Sequence, residues 1–126
     1  MSIAFVCVLV AGLMPYLWTL VAKTRGRGFD NANVRTWQAG LSGVAMRAHA
    51  AHLNSFEAFP LFATAVIVAR ITGADQARVD MLALAFIGLR LLFGMLYLAD
   101  KATLRSVVWL AGMVCVVTIF LSGHAA

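Results

Sequence analysis

Four long apolar runs, separated by short polar stretches, organise this chain: Ser2–Ala22, Ala45–Arg70, Val79–Ala99 and Leu104–Ser122. Each supplies about the 20 residues that a helix needs to cross a ~30 Å hydrocarbon core. None alternates with period two as an outer-membrane barrel strand does, so the spans are predicted to be helices. The fold class that follows is all-α, an integral membrane four-helix bundle forming a single domain over residues 1–126. The first run carries no basic residues ahead of it and no small-residue cleavage signal, so it is expected to stay as a span.

Composition agrees with this pattern. Of 126 residues, 63% are hydrophobic and 12% charged, more apolar surface than a small soluble domain can hide from water. The polar stretches set an orientation. Lys23, Arg25, Arg27 and Arg35 follow the first run, and Lys101 and Arg105 lie at the third turn; the second turn has only Arg70 and Arg78. The positive-inside rule then places both termini outside and loops one and three in the cytoplasm. The net charge of +5 is accounted for by orientation and by attraction to anionic membrane lipids, so no nucleic-acid partner is expected. Tyr16, Trp18, Trp37 and Trp109 are expected to anchor the spans at the interfaces. Within loop one, Val34–Leu41 has the makings of a short interfacial helix. Cys7 and Cys115 lie inside spans without basic neighbours and read as packing residues. The bulk composition resembles that of a bacterial inner-membrane protein.

Candidate chemistry lies where polar residues enter the apolar runs. Glu57 is the chain's only glutamate, and a charge at bilayer depth costs roughly 2.5–3.5 kcal/mol on insertion scales. On a helix turning about 100° per residue, Asn54 and Glu57 fall about 20° and 80° from Arg47, making one polar stripe. Arg90 and Tyr97, seven apart, share a face of the third span, and Arg105 opens the fourth. These six side chains are placed to meet at the cytoplasmic edge. Spacing alone leaves three readings open: a structural Glu57–Arg90 ion pair with snorkelling arginines, a ligand site, or an ion pathway. His49 and His52 lie three apart, but Glu57 points elsewhere and no cysteine completes a set, so no metal is expected.

The run Arg47-x6-Asn54-x2-Glu57-x-Phe59-Pro60-Leu61-Phe62, followed by Arg90-x2-Phe93-x3-Tyr97-x7-Arg105, resembles the signature of the MAPEG family. These are membrane-associated proteins of eicosanoid and glutathione metabolism, and the likeness covers about Arg47 to Arg105. It implies a homotrimer that binds glutathione as co-substrate between protomers, and a glutathione transferase or peroxidase acting on a hydrophobic small molecule or lipid. It also implies that Arg105 stabilises the thiolate and Tyr97 positions it, while Arg47, His52, Asn54, Glu57, Arg90, Phe93 and a loop-one arginine, Arg27 or Arg25, contact the tripeptide. Three positions depart from the family pattern. Ala50 replaces a second motif arginine, Ala58 an aromatic, and Phe93 a tyrosine or histidine, and each removes a polar contact. Two alternatives remain: a non-catalytic member of the same fold, as accessory subunit or lipid-binding trimer, and a small four-helix exporter. The exporter is disfavoured because Ser2–Ala22 contains no acidic residue.

Overall fold

A computed structural model describes residues 1–125, all of them helix or short connections. The elements are α1 (Ile3–Arg25), the short α2 (Val34–Ala39), α3 (Gly43–Ile71), α4 (Gln76–Leu98), α5 (Ala102–Leu121) and a 3-10 turn, Ser122–Ala125. Four of them, α1, α3, α4 and α5, are long and apolar enough to cross a membrane. The chain is therefore an all-α, multi-pass membrane bundle. Helix α2 is two residues shorter than the sequence suggests.

The helix ends fall where polar groups satisfy the backbone, which is why they differ from the apolar boundaries. Helix α1 runs three residues past Ala22, because Lys23 and Arg25 suit its negative end and Gly26 closes it by donating its N–H to Ala22 O at 2.7 Å. Helix α4 begins at Gln76 rather than Val79, capped by Asp75, whose carboxylate accepts from Arg78 N at 2.8 Å. Both tight turns, after α3 and after α4, close in the Schellman pattern. After α3, Ala74 N bonds Ala69 O across Gly73, which takes the left-handed φ of 76°. After α4, Lys101 N bonds Leu96 O across Asp100, at φ 59°. The second of these reversals brings the start of α5 back beside Tyr97.

The N-terminus of α1 is capped from another helix. Its first turn holds no acidic residue. Asp80 of α4 accepts from Ala4 N at 2.8 Å, and Gln76 Nε2 donates to the same Oδ1 at 2.8 Å. Ser2 Oγ accepts from Phe5 N at 3.3 Å. Asp80→Ala is expected to cost about 1 kcal/mol, seen as a lower unfolding temperature in detergent. Asp80→Asn, which keeps an acceptor, is expected to retain most of that stability.

Alanine dominates the core. Ala4, Ala11, Ala65, Ala69 and Ala83 pack with Cys7, Phe62, Val66, Val79, Phe86, Val116 and Ile119, and Phe62 stacks on Phe86 at 4.1 Å between ring centroids. Small side chains let helix backbones approach closely where hydrophobicity gives no preference between protein and lipid. Helix α1 packs chiefly on α3, and α4 on α5. A second cluster joins Met14, Trp18 and Ala51, with Tyr97 and Leu98 against it. Trp18 was expected at a membrane interface, but it is 4% exposed. Its indole lies over Gly94, at a spot where any Cβ would overlap the ring. Tyr16 is exposed and edge-on to Phe56, with centroids 5.8 Å apart.

Candidate functional site

Arg90 organises the polar side chains between α3, α4 and α5. It is 4% exposed, and its guanidinium lies 4.3 Å from the Phe93 ring centroid. Its Nη2 donates to Asn54 Oδ1 at 2.8 Å. A guanidinium only donates, so Asn54 must turn its oxygen to Arg90 and keep its NH2 free to donate elsewhere. The Glu57–Arg90 pair is thus replaced by a neutral partner: Arg90 is held by Asn54, while Glu57 stands exposed on the protomer surface. Phe93 continues the line edge-on to Tyr97, with centroids 5.7 Å apart. Arg105, from the first turns of α5, lays its guanidinium 4.1 Å from the centroid of the Tyr97 ring.

These groups enclose a pocket of about 240 Å³, lined by Asn54, Phe93, Tyr97, Arg105, Ser106 and Trp109. Three helices contribute, and four of the six linings are residues that the sequence singles out. Ser106 and Trp109 are not among them. Trp109 was read as a lipid anchor, yet it lies four residues after Arg105, the spacing that places two helical side chains on one face. Ser106 is Arg105's neighbour and adds a hydroxyl to the wall. The signal for both was proximity to Arg105 on a helix whose rotation was unknown.

The other expected contacts go elsewhere within one protomer. Arg47 donates from Nε to Leu98 O at 3.3 Å, satisfying a carbonyl at the end of α4. It thereby holds the turn that follows Tyr97. His52 is buried in the α1–α3 seam, with Nδ1 2.8 Å from Pro15 O and 2.8 Å from Thr19 Oγ1. Pro15 O can only accept, so the proton for that contact sits on Nδ1. Arg27 lines a separate cavity beside loop one, which shares no residue with the Asn54–Arg105 pocket. Among the described residues, no group of three or more His, Cys, Asp or Glu side chains is placed to hold a metal ion.

A bundle of four spanning helices with this polar line defines a class of membrane protein that places a cationic, aromatic-walled pocket near one end of its helices. The MAPEG family model matches residues 3–124, nearly the whole chain, and the protein belongs to that family. Its general role is therefore in membrane glutathione-related or eicosanoid metabolism, and members of the family generally use glutathione. No curated protein and no solved structure matches the chain.

Proposed function

We propose that this protein is a glutathione-dependent transferase or peroxidase that acts on lipophilic electrophiles entering from the bilayer. The observation that carries the reading is the pocket itself: Asn54, Phe93, Tyr97 and Arg105 from three helices line one cavity, with Arg105 stacked on Tyr97. A free thiol of pKa about 8.5 is mostly protonated at neutral pH. A guanidinium beside the sulfur favours the thiolate by charge and hydrogen bonding. The positive end of α5 adds to that field. The Asn54 NH2 is left to donate to a carboxylate of the tripeptide.

Sulfur then attacks the electrophilic carbon. The C–S bond forms, and the leaving group departs with its electron pair, or an opened epoxide oxygen takes a proton. With a lipid hydroperoxide, sulfur attacks the terminal oxygen and the alcohol leaves. A second glutathione reduces the resulting sulfenic acid, giving the disulfide and water.

Glu57 supports a site completed by a neighbouring copy. It is exposed on the protomer within a spanning helix, where facing lipid would cost roughly 2.5–3.5 kcal/mol. A homotrimer that covers Glu57 and lets it bind the peptide's amine removes that cost. In this reading the pocket opens to the cytoplasm of a bacterial inner membrane, with both termini outside. The competing reading, a lipid-binding trimer without catalysis, draws on Ala50 and Ala58, which remove polar contacts.

Titrating the purified protein with glutathione at about pH 7 is expected to raise thiolate absorbance near about 240 nm, saturating in the millimolar range or below. A featureless titration, with bound glutathione undetected by calorimetry, would favour the non-catalytic reading.

A further inference from the structure

The cavity beside loop one is larger than the Asn54–Arg105 pocket, at about 420 Å³ against about 240 Å³. Arg25, Arg27, Thr36, Trp37 and Ser42 supply its polar wall. Loop one is held in shape around it. Trp37 Nε1 donates to Arg27 O at 2.8 Å, and Phe29 meets Trp37 edge-on at 5.0 Å. Lys23 Nζ sits 4.6 Å from the Phe29 ring centroid. Gly26 lets the chain fold back here, since a Cβ on it would stand 2.7 Å from Trp37 and 2.8 Å from Leu41.

Charge and depth say what the cavity takes. Asp30 is the only acidic residue between α1 and α3. Its carboxylate accepts from Ala32 N at 2.9 Å and Asn33 Nδ2 at 3.1 Å, and the Asn33 bond first, then the Ala32 bond, holds its carboxyl below the usual range. The two guanidiniums therefore keep their charge for a ligand. Helix α1 has 23 residues, about 35 Å at 1.5 Å per residue, against a ~30 Å hydrocarbon core. Its last residue, Arg25, thus emerges at the depth of the lipid phosphates. A tryptophan beside it suits the same layer, with an apolar ring and a polar edge.

We propose that this cavity binds the phosphate of an anionic phospholipid. Arg25 and Arg27 grip the phosphate oxygens through guanidinium forks, and the Thr36 and Ser42 hydroxyls donate to it. Trp37 packs beside the glycerol backbone. Within one protomer the cavity shares no lining residue with the Asn54–Arg105 pocket.

Native mass spectrometry of the full chain, with phosphatidylglycerol and phosphatidylcholine offered in turn, tests the proposal. The expected result is preferential retention of phosphatidylglycerol, reduced about 30-fold in Arg25→Gln/Arg27→Gln, from about a five- to sixfold step for each of two interfacial cations. Arg70→Gln/Arg78→Gln removes equal charge at the opposite end and is expected to keep the preference. Equal loss in both double variants would mean diffuse attraction and overturn the site. So would full competition by inorganic phosphate at the lipid's own affinity, because the ligand would then be a free anion. Unchanged phosphatidylglycerol retention in Arg25→Gln/Arg27→Gln, with weakened glutathione binding, would assign these arginines to the thiol pocket instead.

Discussion

Arg105→Ala is expected to remove the glutathione thiolate signal at neutral pH and most of the turnover with it. A guanidinium at hydrogen-bond range lowers a thiol's pKa by about two units, which lifts the thiolate fraction at about pH 7 from about 3% to about three quarters. Removing it reverses that gain, a loss of about 25-fold in the reactive species. The guanidinium lies 4.1 Å from the Tyr97 centroid, so the ring fixes where the charge sits. Tyr97→Phe keeps that platform and is expected to retain most activity, whereas Tyr97→Ala is expected to approach the loss seen for Arg105→Ala. The pH profile separates the proposed role from simple binding. If Arg105 acts on thiol ionisation, the Arg105→Ala rate recovers as pH rises through about 8.5 and free glutathione ionises unaided. A variant whose rate stays low at alkaline pH, with glutathione affinity reduced in parallel, would make Arg105 a binding residue only. Unchanged turnover would remove it from the mechanism.

Arg105 also shows how far the sequence could be read. Four apolar runs and their polar breaks were legible because bilayer thickness sets the length of a span. The meeting of Asn54, Tyr97 and Arg105 followed from spacing, since residues seven apart return to one helical face and a short turn sets α5 against α4; Phe93 was expected there only from the family resemblance. Helix rotation was not legible. Lipid and protein interior are alike apolar, so apolar residues all round a helix do not mark which face packs inward. Trp18 is the clearest case, read as an anchor and found under α4. His52 is another: it lies two residues from Asn54, yet it turns to Pro15 and Thr19 of α1. Arg47 sits on the expected stripe but ends on a backbone carbonyl, a partner that no side-chain pattern reveals.

The same loss of signal hides the most sensitive packing contact in the bundle. Gly94→Ala is expected to be strongly destabilising, although alanine is the better helix former by about 1 kcal/mol. Gly88, on the same helix, has open space where its Cβ would be, so Gly88→Ala is expected to be neutral or to gain up to about 1 kcal/mol. At Gly94 the added methyl overlaps the six-membered ring of Trp18. That ring is boxed in by Met14 and Ala51 and cannot move aside without parting α1 from α4. Overpacking of this kind costs about 1–3 kcal/mol or more, which outweighs the propensity gain. Trp18 supplies the control. Its Nε1 is buried with no acceptor among the described residues, so Trp18→Phe removes an unpaired donor together with part of the ring. The Gly94→Ala/Trp18→Phe pair is expected to unfold at a higher temperature than Gly94→Ala alone, with a coupling of about 0.5–3 kcal/mol. Additive effects in that cycle would show that Gly94 is not small on account of Trp18. Parallel thiolate titrations on the repacked pair would then show how closely Tyr97, which packs against the same cluster, depends on this contact for its place under Arg105.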